Sequence, residues 1–188
     1  MSKGLLRSPF VAFIMGCLAV LSLGSCANDA QAVQALSQGW SGPMVEQHGM
    51  TLTYTDSGRV VLRVQAGHLA DFSQLEEGPY QRFDSSVFVT LYDFNGKRHG
   101  RLLAQRMTHW LDTDLWFLEG DVQMHQPGGR SLYTESMTWD RDSASIYGQE
   151  ALRIIDEGEE IRGKGFRAEE DLSRYTIFAV SGELNAPE

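Results

Sequence analysis

Five histidines, His48, His68, His99, His109 and His125, are the residues of this chain best suited to move a proton or hold a metal, and their spacing supports neither role. They form no helical pair of the kind zinc hydrolases use, and no nucleophile motif accompanies them. The glycines fall at turns, not in a phosphate-cradling loop that opens a helix. The acid pairs Glu159-Glu160 and Glu169-Glu170 lie at strand ends or turns, where solvated charge is the ordinary outcome. Arg98, Arg101, Arg106 and Arg130 stand near turns with the charge to meet phosphate, although solvated surface charge also explains each one. The side chains therefore point to non-covalent work. No catalytic residue, cofactor or metal is expected.

One residue has covalent chemistry ahead of it. Lys3 and Arg7 precede a mostly apolar run from Phe10 to Leu23, and the small residues Gly24 and Ser25 precede Cys26. The run is short for a membrane span of roughly 20 residues and reads as a secretory signal. Leu23-Gly24-Ser25-Cys26 resembles the bacterial lipobox, which implies cleavage before Cys26 and diacylation of its thiol. The alternative is a plain signal or an uncleaved span with an incidental cysteine; Cys17 has too short an apolar run before it. Residues 1–25 are thus expected as a lipoprotein signal peptide, 26–42 as a lipidated N-terminus and tether, and 43–188 as one folded domain. Cys17 leaves with the signal and Cys26 carries the lipid, so neither a disulfide nor a cysteine metal site is expected.

Charge narrows the partners. The 188-residue chain has 16 basic and 25 acidic residues, a formal −9, and losing Lys3 and Arg7 with the signal makes the remainder more acidic. Such a domain is a poor nucleic-acid binder.

The elements that must position any binding residues are strands. From Met50 onward, turn signals at Asp56-Ser57-Gly58, Asn95-Gly96 and Pro127-Gly128-Gly129 separate runs with period-two alternation. Strands are expected over Met50–Tyr54, Arg59–Phe72, Val87–Phe94, Gly100–Trp110, Leu115–His125, Ser131–Trp139, Ile146–Asp156, Glu160–Ala168 and Tyr175–Gly182, with Phe72–Asp84 as a loop. No long helical pattern occurs. A shift of 30 residues lays Leu102 on Leu132, Met107 on Met137, Trp116 on Ile146, Val122 on Leu152 and Met124 on Ile154. That period marks a supersecondary unit stacked on copies of itself.

The fold class is all-β: stacked antiparallel strands in a jelly roll with an apolar groove. Parity assigns Leu62, Val64, Ala66, Leu102, Ala104, Val122, Met124, Leu132, Leu152 and Ile154 to the inward, groove-lining face. Val60-Val61 and Ile154-Ile155 break strict alternation, so either part of the outer face is covered or a bulge shifts the register. Tyr175, Ile177 and Ala179 lie on the candidate outgoing edge strand, where an edge pairs with another chain or is blocked.

Several blocks of the chain resemble a known family in shared order and spacing. They are Phe88–Asp93 before Asn95-Gly96, Leu102-Leu103-Ala104, Trp116 with Glu119–Val122, Thr134–Met137 with Trp139-Asp140, Ile146-Tyr147, and Gly163, Gly165, Phe166, Asp171, Ser173, Tyr175 and Ile177. Together they are similar to the LptC family of lipopolysaccharide export components, in its Bacteroidetes-like lipoprotein form, within the OstA-like jelly-roll superfamily. The resemblance spans roughly residues 43–184. It implies transport of lipopolysaccharide, held by its lipid A moiety, from an inner-membrane ABC transporter to a periplasmic LptA-like bridge protein of the same fold through end-to-end strand pairing. It also implies a periplasmic location with membrane anchoring through the lipid, at the inner membrane or alternatively the outer. Enterobacterial members begin with an uncleaved membrane helix, which the lipobox replaces here. The rival readings are an envelope or surface lipoprotein that binds glycans and a purely structural lipoprotein. Against the glycan reading, Trp110, Trp116 and Trp139 are scattered and do not form one stacking platform.

Overall fold

The computed structural model describes residues 42–180. The expected signal peptide, Cys26 and nearly all of the tether lie outside the described residues, as do residues 181–188.

Eleven strands form one antiparallel sheet, and no helix occurs among the described residues. They are β1 (Val45–Asp56), β2 (Arg59–Phe72), β3 (Tyr80–Asp84), β4 (Val87–Tyr92), β5 (Arg98–Ala104), β6 (Arg106–Trp110), β7 (Leu115–His125), β8 (Ser131–Asp140), β9 (Ser145–Asp156), β10 (Glu159–Glu169) and β11 (Tyr175–Val180). The jelly-roll expectation holds. β3 and β4 both pair with β2, and β5 and β6 both pair with β7, so each couple acts as one long strand broken in the middle. With those two couples joined, every strand neighbours the next in sequence, and short turns suffice.

The breaks line up from strand to strand. β2 crosses the line at Gly67, whose amide donates to the Ser85 carbonyl between β3 and β4. Ser85 and Ser86 have φ of 62° and 68°, the left-handed region that twists a strand off its course. Gln105 separates β5 from β6, and its amide reaches the carbonyls of Glu119 and Gly120 on β7. Gly120 has φ +78°, and a Cβ there would lie 2.8 Å from the Gln105 side chain, so glycine suits this crossing. Register slips continue the line through β8, β9 and β10, between Thr134 and Thr138 and between Lys164 and Phe166. The result is a crease perpendicular to the strands. It divides the sheet into two leaves whose inner faces share one core.

Three expectations change. Phe72–Asp84 is not all loop, because Tyr80–Asp84 is a strand hydrogen-bonded on both sides, to β2 and β6, with Phe83 fully buried. Its five residues are too few and too polar to signal a strand unaided, and pairing overrides propensity. The single strand Gly100–Trp110 is two, split by the crease. β1 begins at Val45, ahead of Met50. The Val60-Val61 irregularity is a bulge: Tyr54 faces Leu62 and Thr55 faces Val60, leaving Val61 unpaired with β1.

Candidate functional site

The interior is built from cross-strand ladders. In the first leaf, Leu52, Val64, Val89, Leu102, Met124, Leu132, Ile154 and Ile161 stand in register on eight successive strands. Branched and aliphatic side chains directly opposite one another are the unit of sheet stabilisation. The row nearer the crease alternates small and larger residues, with Met50 opposite Ala66, Val87 opposite Ala104, and Val122 and Leu152 flanking Thr134, whose hydroxyl donates to the Ala151 carbonyl at 2.9 Å.

In the second leaf, Leu69, Phe83, Met107, Leu118 and Met137 run in register across β2, β3, β6, β7 and β8. Phe166 and Ile177 continue the row on β10 and β11. All ten residues assigned inward from the sequence are buried, between 0% and 7% exposed, and all ten belong to the first leaf. Part of the second leaf escapes because parity reverses at the crease on some strands: Leu102 and Ala104 are inward on β5, whereas Met107 and His109 are inward on β6, while β7 and β9 keep one parity throughout. The period itself carried a signal, since Met107 and Met137 coincide under it.

Opposite the crease the rims of the leaves meet. Tyr54, beside Leu62 in the first leaf, packs its ring edge-on against Trp116 of the second, with centroids 5.4 Å apart. Its hydroxyl donates to Gln81 Oε1 at 3.0 Å, and Gln81 in turn donates to Asp71 at 2.8 Å. Farther along, Gln126 Nε2 donates to the Glu170 carbonyl at 2.6 Å, and Trp139 Nε1 donates to the Glu170 carboxylate at 3.0 Å. Leu172, in the turn between β10 and β11, is fully buried in the core. A cleft of about 210 Å³ remains on this seam, bordered by Leu62, Leu91, His99, Gln126, Trp139 and Glu170. Hydrogen bonds and ring contacts, not strand pairing, close the rim. Such contacts break one at a time, each with a net value of about 1 kcal/mol.

His109 and Asp114 are the arrangement here that most resembles acid–base machinery. Nε2 of His109 donates to Asp114 Oδ1 at 2.6 Å, and the imidazole stacks on Trp116 with centroids 3.7 Å apart. Nδ1 is buried with no hydrogen-bond partner. A proton there would create an unsatisfied buried N–H, so burial lowers the pKa of His109 despite the neighbouring carboxylate. Burial, reinforced by Asp114, likewise raises the Tyr54 phenol far above its ordinary value. Both side chains stay neutral and tie the rim together. Among the described residues, no group of three or more His, Cys, Asp or Glu is placed to hold a metal ion.

The edges are β1 and β11. Tyr175 and Ile177 turn inward against the core, while Ala179, Phe178 and Val180 are exposed. Of the four arginines weighed for phosphate contact, Arg106 pairs with Glu119 and Arg130 with Asp156, but Arg98 and Arg101 have no ion pair among the described residues. The chain matches no known protein-family model and no curated protein.

Proposed function

We propose that the domain carries an acylated lipid between its leaves, as a lipid-anchored intermediate in lipopolysaccharide transport. The observation that carries the reading is the pair of apolar ladders, one from β1 to β10 and the other from β2 to β11, roofed by a rim of individually weak contacts. Parting the rim would exchange side-chain contacts for acyl chain. Each buried methylene gains about 0.8 kcal/mol, much as it does in a bilayer. Affinity for groove and bilayer then has a common origin, so the domain need not drive transfer; an ATP-hydrolysing transporter in the inner membrane supplies the work. Met107, Met124 and Met137 suit a loosely defined ligand, because unbranched thioethers adapt their shape. The edge at Tyr175, Ile177 and Ala179 would add a strand to a periplasmic jelly-roll partner. Cys26 would hold the domain at a membrane from the periplasmic side.

The test is photo-crosslinking in living cells from Val64, Ala104, Met107, Val122, Met137 and Leu152, with Asp121 and Gln123 as outward controls. Labelled lipopolysaccharide at the inward positions alone is the expected result. A blank at every inward position overturns the proposal, and saccharide capture without lipid capture turns it toward a glycan-binding lipoprotein.

A further inference from the structure

One corner of this acidic chain gathers five cations with no carboxylate partner among the described residues. Elsewhere Arg82, Arg106, Arg130, Arg141, Arg153, Arg162 and Arg174 each lie within ion-pair distance of an Asp or Glu, and only Lys164 and Arg167 on β10 do not among the described residues. On the outer face of the first leaf, Arg59, Arg63, Lys97, Arg98 and Arg101 are all exposed and make no ion pair among the described residues. Register gathers them. Arg63 faces Thr90 and Thr90 faces Arg101, which puts two guanidinium groups on either side of a buried threonine, while Arg98 faces Tyr92 on the adjoining pair. The carboxylate in the adjoining turn, Asp93, accepts from the amides of Asn95 and Lys97 and is spent on holding the hairpin. Asp56, across the β1–β2 turn from Arg59, accepts from the Ser57 hydroxyl.

An apolar group projects from the same corner. Phe94, at the tip of the β4–β5 hairpin, is 73% exposed, and the Arg59 guanidinium sits 3.9 Å from its ring centre. A cleft of about 350 Å³ bordered by Arg59, Arg63, Tyr92 and Phe94 opens beside it. On the other side of β5 a second cleft of about 350 Å³ is bordered by Arg98, His99, Arg101 and His125. Burial, and after it the nearby Arg101, hold His125 below its usual pKa. Uncompensated cations flanking a protruding aromatic ring match an interface of anionic headgroups over acyl chains, where the ring enters the apolar boundary and the guanidiniums remain with the phosphates.

We propose that this corner docks the domain onto a bilayer surface rich in anionic phospholipid, with Phe94 inserted and Arg59, Arg63, Lys97, Arg98 and Arg101 on the headgroup phosphates. The proposal is independent of any cargo between the leaves. Net negative charge over the rest of the molecule repels such a surface, so the corner also fixes which side faces it.

The experiment uses the full chain with a photo-reactive or environment-sensitive side chain introduced at position 94, mixed with vesicles. One set is phosphatidylcholine alone, and the other is about seven parts phosphatidylcholine to three parts phosphatidylglycerol. The expected result is insertion of the probe only into anionic vesicles, lost at about 0.5 M salt, where charges are screened beyond a few ångströms. The triple variant Arg63→Gln, Arg98→Gln, Arg101→Gln lowers insertion at least about tenfold, and the same probe at Phe178 stays unresponsive to lipid charge. Equal insertion into both vesicle types, or an unaffected triple variant with an unchanged unfolding transition, overturns the proposal. Binding of inorganic phosphate without vesicle insertion assigns the corner to a free anion and overturns membrane docking.

Discussion

At Leu132 the interior residue is fully buried in register between Met124 and Ile154, so truncation leaves a hole walled by neighbours that cannot all collapse. Leu132→Ala should lower unfolding free energy by about 2–5 kcal/mol, measured by urea titration. His109 makes a different prediction. The unfolded chain protonates this ring near its ordinary value of about 6.5, while the folded chain resists until lower pH. Between those values the unfolded state binds more protons, so stability falls as pH drops through the window. His125 is shifted in the same direction and adds to the slope. His109→Gln should flatten the pH dependence of stability between about 7 and 5; an unchanged slope would assign it elsewhere.

Among the strands, Gly163 is where a side chain has least room: a Cβ would lie 2.3 Å from Ile177 Cγ2 and 2.6 Å from the Ala179 carbonyl. Gly163→Val should release β11 while leaving β1–β9 paired, seen as loss of amide-exchange protection confined to residues 175–180 and the facing part of β10. Retained protection there would mean that β11 is not held by close approach to β10. This level also explains what the sequence could reveal. Alternation is local, so it locates most strands and ten inward residues of the first leaf, though not Met50, Val87 or Val89 beside them. The crease is a relation between strands, set by Gly67 against Ser85 and Gln105 against Gly120, partners far apart in sequence. Reading parity straight through those points hides second-leaf residues such as Leu69 and Met107, whereas Leu118 keeps the parity of Val122 and Met124 along β7. The same holds for β3, which exists because β2 and β6 flank it, and for the basic corner, where Arg63 and Arg101 become neighbours only through Thr90.

For the molecule as a whole, the rim is the part of the structure with least to lose on opening. Gln126 spans it through a single hydrogen bond to the Glu170 backbone, and its own Oε1 is buried without a partner. Gln126→Ala should leave the unfolding midpoint nearly unchanged but speed uptake of a fluorescent fatty acid several-fold. Slower or unaltered uptake would place the entry route elsewhere. The crease bears on a hazard separate from cargo. A sheet whose two edges are unpaired among the described residues, with this much apolar sequence, is a template for cross-β growth, which proceeds by stacking straight, flat strands in long registers. Here a straight strand can follow an edge only as far as the bend, a handful of residues, before the backbone turns away from it. Incoming chains therefore have to be bent at the same place to be accepted, and the crease itself protects the fold against fibrils.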